Sequence, residues 1–420
     1  MNLLEDNNQH WKWNLFLMWS SQLLVLAGFA AMMPFIPLFL KDELGIADER
    51  IRGIWMSAFY FFGTFGYALF CPIWGALSDR FGVKPMLLRG TFGTAILFPL
   101  MAYSPNGWIL VILRFLSAAC AGTTAASQTL LVKNTPENKQ GFALGVLSTA
   151  IWGGTMLGNV VGGIVVNYYG YKCTFMACGA MYFLAGFIVL LAREDFKPVV
   201  KAAASHVRKH RGGLLPEFTT AVWMMLGLMA LTGFVRYFEI PYLALQIENI
   251  VGGKEAPLWT GIVSGFVAVG ALLSGIVTGY LSDRVKPLYI LIPVFAICVV
   301  TMFIQAYSAN LVVFSVSRTL MYLAAGGAYS VLQKLLSAAT PKRKRGTVFG
   351  FSTTANSAGI MLSTLVAGGV IYVSGVKGVF VAAALLALLM IPCYMVVIRK
   401  IMKQPYFSAQ YKKIMESKKK

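Results

Sequence analysis

Residues 75–84 read Gly75-Ala76-Leu77-Ser78-Asp79-Arg80-Phe81-Gly82-Val83-Lys84, and 204 residues further on the chain reads Gly279-Tyr280-Leu281-Ser282-Asp283-Arg284. The same shift pairs Arg114 with Arg318 and Gly122 with Gly326. A shift of 205 then pairs Thr135-Pro136 with Thr340-Pro341, Gly141 with Gly346, Gly154 with Gly359 and Gly163 with Gly368. The matched positions include arginines inside apolar stretches, which a chance alignment of glycine-rich sequence does not supply. One structural design is used twice, and its nature follows from the solvent that surrounds it.

That solvent is lipid. Of the 420 residues, 58% are hydrophobic and 12% charged, about half the charged share of a soluble domain. A bilayer core about 30 Å thick needs roughly 20 apolar residues per helix. Twelve such runs fall at 14–40, 53–77, 85–103, 107–131, 141–166, 173–192, 218–247, 257–281, 287–307, 310–333, 346–373 and 378–399. The expected fold is an all-α membrane protein of twelve transmembrane helices in two pseudo-symmetric six-helix bundles. The bundles occupy 1–192 and 218–401, with a basic cytoplasmic linker at 193–217 and a basic tail at 402–420. The apolar run after Lys12 is too long for a cleavable signal and lacks an A-x-A site, so it reads as the first span. Cys71, Cys120, Cys173, Cys178, Cys298 and Cys393 show no metal-ligand spacing and read as small buried hydrophobes.

Lys and Arg number 36 against 16 Asp and Glu, a net charge of +20. A nucleic-acid partner does not follow, because the basic residues flank long apolar runs rather than covering a soluble face. With the N-terminus in the cytoplasm, twenty-six basic residues fall on that side and six outside. The bias predicts a multi-pass protein of the cytoplasmic membrane with both termini inside. Four basic residues, Arg114, Arg236, Arg318 and Lys334, and one acid, Glu239, remain within spans. Each costs about 2.5 kcal/mol or more at a helix centre, which marks it as a candidate functional residue. Lys334 lies near a span end and can snorkel.

A guanidinium stays charged, so Arg114 and Arg318 must face a cavity, a carboxylate or an anionic ligand. Coupling or substrate contact and a purely structural helix-to-helix bond are both open for each. Glu239 follows Arg236 by three residues, on the same face of a helix. It reads either as a proton carrier or as an ion-pair partner that neutralises Arg236. Burial favours a neutral carboxyl and a neighbouring guanidinium favours a charged one, so its proton occupancy would respond to what fills the site. Gln128 and Gln333, related by the 205 shift, either bond substrate or bridge helices. Tyr60, Trp152, Trp223, Tyr237, Tyr242, Tyr322 and Tyr329 are candidates for an amphipathic pocket or for packing.

The segment 75–84 resembles the G-x-L-x-D-R-x-G-[RK]-[RK] loop between the second and third helices of the major facilitator superfamily, with Val83 in the first of its two basic positions. The resemblance implies a conformational latch made by Gly75, Asp79, Arg80, Gly82 and Lys84, echoed by Gly279, Asp283 and Arg284. Physically, Gly75 would allow close helix approach and Gly82 a tight turn. Asp79 would favour the positive end of the third helix, and Arg80 and Lys84 an anionic membrane surface. In the fifth span, Gly145, Gly154, Gly158, Asn159, Gly162 and Gly163 resemble the G-x8-G-x3-G-P-x-x-G-G pattern of proton-driven drug antiporters, with Asn159 in the proline position. Glycines at four-residue steps also make a smooth face for close packing. Arg114 and Ala118 match the superfamily's fourth-helix R-x-x-x-[GA]. Together with Gly28 and Met33-Pro34-Phe35-Ile36-Pro37-Leu38, the pattern through residue 170 is similar to bacterial twelve-helix exporters of the fosfomycin- and deoxycholate-resistance type.

The resemblance implies a monomeric secondary transporter working by alternating access, with a proton gradient as its energy source and no cofactor or metal. Exporters of cationic drugs carry an acid in the first helix, and here none falls between Asp6 and Asp42. The expected activity is therefore proton-coupled efflux of amphipathic anionic or zwitterionic small molecules. The alternative is an importer or exchanger of organic or phosphorylated anions, with Arg114 and Arg318 as ligands. An enzyme is not expected: His10, His206 and His210 all lie outside the spans, which hold a single acid. The partners are a small-molecule substrate and the lipid bilayer.

Overall fold

A computed structural model describes residues 2–136, 139–194, 218–340 and 345–403, and every regular element among them is helical. In chain order these are α1 (Asn2–Met32), α2 (Ile36–Asp42), α3 (Glu49–Phe81), α4 (Val83–Met101), α5 (Gly107–Cys120), α6 (Thr123–Asn134) and α7 (Gln140–Leu190). Then follow α8 (Thr220–Tyr237), α9 (Leu243–Val251), α10 (Ala256–Arg284), α11 (Pro287–Tyr307), α12 (Leu311–Ala325), α13 (Ala328–Ala339) and α14 (Arg345–Met402). Most of the linker, 195–217, and the tail from 404 lie outside the described residues.

Nine stretches among the described residues are long and apolar enough to cross a membrane. Two of them are double crossings, because α7 runs for 51 residues and α14 for 58, more than twice what one passage needs. Each contains one non-helical glycine, Gly170 (φ 81°) and Gly375 (φ 69°), at a spacing of 205 residues. Left-handed backbone is open to glycine at no steric cost, so the chain turns there without a loop. The 19 residues of α4 add the twelfth crossing. The repeat extends to the caps: Asn106 accepts from Ile109 N at 3.0 Å and Asn310 from Val312 N at 2.8 Å, each supplying an N-terminal helix donor with its missing acceptor.

Among the described residues the chain forms two compact units. One gathers Met1–Phe39, Phe62–Pro216 and Thr260–Gly265, and the other Leu40–Phe61, Glu217–Trp259 and Phe266–Lys420. In the first, α1 lies against α7, and the glycines of the fifth span are the reason. A β-carbon on Gly154 would stand 2.5 Å from the Leu23 carbonyl oxygen, and on Gly158 or Gly162 it would collide with the carbonyls of Ala27 and Ala31. Helix α7 stays helical through Asn159, so the substituted proline position carries no kink. Gly163 and the Asn159 carbonyl sit against Gly261. In the second unit, the repeat-equivalent Gly359 presses on the Ala230 carbonyl of α8, and Thr232 and Tyr394 hydroxyls bond at 2.6 Å.

Two expectations change. A β-carbon at Gly75 or Gly145 would meet nothing, so neither provides a close helix contact here. The side chains of Asp79 and Asp283 lie outside the described residues. At the start of α4, Glu194 accepts from the Val83 and Lys84 amides at 2.7 Å each. Lys84 in turn donates to the Leu190 and Ala192 carbonyls at 2.7 and 2.8 Å, and Asn14 exchanges two bonds with the Arg193 backbone. The loop of 75–84 is thus bolted to the end of α7, with Gly82 (φ 96°) supplying its turn. Arg80 and Arg284 are exposed and lie over the rings of Phe81 and Tyr280.

Gly158→Ala forces a side chain into the Ala27 backbone and is expected to destabilise the protein by about 1–3 kcal/mol. Gly145→Ala, which meets open space, is expected to leave the melting temperature in detergent unchanged.

Candidate functional site

Four spans are interrupted, in repeat-related pairs. Proline at position 34 or 241 has no N–H to continue the helical ladder, and each lies in a short 3-10 turn, Met33–Phe35 between α1 and α2 and Ile240–Tyr242 between α8 and α9. Helices α5 and α6 part at Ala121 and Gly122 (φ 113°), and α12 and α13 at Gly326 and Gly327. Carbonyls freed within a membrane must find donors. At the first of these breaks Trp74 Nε1 donates to Ala119 O at 2.7 Å and Arg89 Nη2 to Ala121 O at 3.2 Å, the guanidinium lying 3.6 Å from the Trp74 ring centroid. At the second, Ser274 Oγ donates to Ala324 O at 3.2 Å and accepts from Gly327 N at 3.0 Å. Arg89, which the loop charges of the sequence place at the cytoplasmic surface, is half-buried and serves this helix break.

Glu239 stands at the break in the seventh span, 1% exposed. Its Oε2 is 2.7 Å from Nη2 of Arg318, which is equally buried. The contact is an ion pair without hydrogen-bond alignment, and neither carboxylate oxygen has an aligned donor among the described residues. Arg318 Nη1 donates to Gln305 Oε1 at 3.0 Å, and Gln246 of α9 donates to the Gln305 carbonyl at 3.2 Å. The Tyr322 ring lies 5.5 Å from the guanidinium carbon. Beside the pair is a cavity of about 50 Å³, lined among others by Thr232, Arg236, Glu239, Met302, Tyr322 and Tyr329. That volume holds a few waters and is smaller than a drug-sized solute needs, so the cavity must widen to admit one.

The pairing of Glu239 with Arg236 expected from their spacing does not form. Helix α8 ends at Tyr237 before the face they would share is complete, and the carboxylate turns to Arg318 of α12 instead. Arg236 remains, half-buried, in the lining of the same cavity. Of the other candidates, Arg114 lies in the other unit, 5.2 Å from the Phe29 ring centroid and against Gly63, where a β-carbon would be 2.6 Å from its Nε. Gln128 is exposed on α6 and Gln333 half-buried on α13, and neither joins the cluster. Lys334 donates to the Ser282 carbonyl at the end of α10. Tyr322 and Tyr329 face the cavity, whereas Tyr242 bonds Ser57 at 2.7 Å. The site residues missed from sequence are Gln246 and Gln305, neutral side chains whose role depends on where Arg318 points.

A model of the Major Facilitator Superfamily matches residues 18–314 and 260–418. The chain belongs to the major facilitator superfamily. It is 30% identical over 389 residues to the multidrug resistance protein MdtG of Proteus mirabilis, covering 90% of this chain and 94% of that protein. It is 31% identical over 384 residues to MdtG of Enterobacter lignolyticus, covering 90% of each. Solved structures share the fold: the POT family transporter PepTSo at TM-score 0.76 and 15% identity, covering 93% of this chain and 98% of that one, and the nucleoside transporter NupG at 0.73 and 10%, covering 92% and 99%. As a superfamily member the chain is a multi-pass inner membrane secondary transporter for small molecules and not an enzyme.

Removing one partner of a buried ion pair leaves the other charge uncompensated. Arg318→Leu is expected to lower stability by about 3–5 kcal/mol, read as a fall in melting temperature. Glu239→Gln, which leaves Arg318 its bond to Gln305, is expected to lower it less.

Proposed function

We propose that this transporter exports amphipathic small molecules in exchange for protons, with Glu239 carrying the proton and Arg236 and Arg318 drawing the anionic part of the solute. The observation that supports it is the placement of Glu239 within the seventh span: buried, ion-paired to Arg318, and on the wall of the cavity that also holds Arg236. The MdtG relatives are named for multidrug resistance, which supports export. The basic bias of the loops supports both termini in the cytoplasm. A single chain carries the cavity, so we take the monomer as the working unit, with the proton gradient in place of any cofactor.

The sign of coupling follows from which charges compete. Glu239 holds either a proton or a cationic group of the solute. A zwitterion that places its ammonium on Glu239 and its acid group toward Arg236 is displaced when the carboxyl is protonated, and the result is exchange. A purely anionic solute behaves oppositely. Protonation of Glu239 weakens its hold on Arg318, so the guanidinium accepts the anion as the proton arrives, and the two move together. Exchange therefore favours zwitterions. The second reading, uptake or exchange of organic anions, is supported by the same Arg318 pairing.

Binding to the purified protein across pH separates them. Affinity for a zwitterionic fluoroquinolone is expected to rise with pH, by up to about tenfold per pH unit for one linked proton. Affinity for deoxycholate is expected to fall over the same range. In Glu239→Gln both profiles flatten, with the fluoroquinolone held weakly and deoxycholate held tightly at every pH. Flat profiles in the parent protein would remove Glu239 from coupling.

A further inference from the structure

Helices α8 and α14 of the second unit leave a groove between them on their exposed side. Met224, Gly227 and Leu231 of α8 and Pro392, Cys393 and Val396 of α14 line it, and its volume is about 430 Å³. It extends about 10 Å along α8, from Met224 to Leu231 at 1.5 Å per residue. Its walls are apolar, and Leu231 and Val396 are 45% and 65% exposed. The gap exists because a side chain is missing: a β-carbon on Gly227, itself exposed, would meet nothing within 4 Å. The residues next to the groove turn inward. Thr232 and Tyr394 bond to each other at 2.6 Å, and Thr232 lines the cavity beside Glu239. One side of this helix pair therefore serves the cavity and the other holds the groove.

The medium outside these walls is hydrocarbon, because they lie within the seventh and twelfth spans. The end of the groove where α8 begins and α14 finishes is different in kind. From Val396 the same face of α14 continues to Arg399, Lys400 and Lys403, at steps of three, four and seven residues, and all three are exposed. Neither α8 nor α14 contains an Asp or Glu, so nothing on the two helices neutralises these cations. Trp223, 40% exposed on the first turn of α8, has its ring 5.5 Å from that of Phe218. An exposed indole at a span end marks the depth of the lipid headgroups. An apolar slot thus runs into the membrane from a rim of aromatic and basic side chains at its surface.

We propose that the groove between α8 and α14 binds one glycerophospholipid with an anionic headgroup, an acyl chain lying in the slot and the phosphate drawn to Arg399 and Lys400. The slot accepts any chain, and the cations select the headgroup, since a buried chain and a basic patch are two signals that reinforce each other. The occupant is a lipid because the open side of the slot faces the bilayer and its charged end lies where phosphates lie. The site is separate from the Glu239–Arg318 pair, and it does not depend on the direction of transport or on the role of the proton.

Dioleoyl phosphatidylglycerol and dioleoyl phosphatidylcholine share their chains and differ in charge, and native mass spectrometry reads the binding of each to the full chain in neutral detergent. The parent protein is expected to bind the first at least about tenfold more tightly than the second. Gly227→Leu fills the slot without a clash and is expected to weaken phosphatidylglycerol binding at least about tenfold, with no fall in melting temperature in lipid-free detergent. Arg399→Gln with Lys400→Gln should bring phosphatidylglycerol down to the level of phosphatidylcholine and leave the latter unchanged. Glycerophosphate, which has the charge and no chain, should not compete. Equal affinities for the two lipids in the parent, undiminished binding in Gly227→Leu, or displacement by glycerophosphate would each overturn the proposal. A second measurement leaves the groove unaltered. In a chain whose cysteines other than Cys393 are replaced by alanine, saturating phosphatidylglycerol is expected to slow alkylation of Cys393 by a lipophilic maleimide at least about fivefold, and phosphatidylcholine at the same concentration to leave it fast. An unchanged rate, or protection by deoxycholate in place of the lipid, would count against a lipid site.

Discussion

Everything in this protein is arranged around the rule that a backbone group within a bilayer cannot be left without a partner. The rule makes every span a helix, and it makes each interruption of a helix a place where side chains must be supplied. The first, fourth, seventh and tenth spans are interrupted, and at each described break with freed carbonyls the donors can be named: Trp74 and Arg89 in one repeat, Ser274 in the other. The breaks are also where ionisable groups sit. Glu239 occupies one, and Arg318 lies two turns before another. The helix interruptions that lipid makes expensive are thus the same places that hold the charges a transporter needs.

The two repeats share a backbone plan and diverge in chemistry. Pro34 and Pro241 break equivalent helices, yet the residue two positions earlier is Met32 in one and Glu239 in the other. Arg114 and Arg318 are equivalent, yet Arg114 rests beside Phe29 and Gly63 while Arg318 meets a carboxylate and a glutamine. The glycine pattern follows the same logic in reverse. Gly154 and Gly359 do the same thing in both repeats, because the demand there is only for space. Where a position serves packing the repeats agree, and where it carries the proposed contacts to a proton or a solute they differ.

Much of this was legible in the residues. The apolar runs set the number of spans, the repeat set their grouping, and Arg236, Glu239 and Arg318 stood out because lipid tolerates charge so poorly. Less legible were the contacts that helical spacing misrepresents. The three-residue interval between Arg236 and Glu239 implies a shared face only on an unbroken helix, and Pro241 ends that helix too soon. Arg89 and Glu194 looked like surface charges, because a tally of loops does not show which of them folds back onto a helix end. Glu248 and Arg52 were equally anonymous, separated by 196 residues and each flanked by ordinary loop charges.

The sequence by itself determined the solvent, the helical class, the duplication and the family, since these depend on composition and on spacing along the chain, which survive without knowledge of any contact. Tertiary structure alone decided the partners. It assigned Glu239 to Arg318, placed Gln305 and Gln246 behind them, closed Glu248 on Arg52 and Lys41, and left Gly75 and Gly145 facing open space. The reason is physical: burial gives an ion pair its consequence, and burial is a property of neighbours brought together from distant parts of the chain.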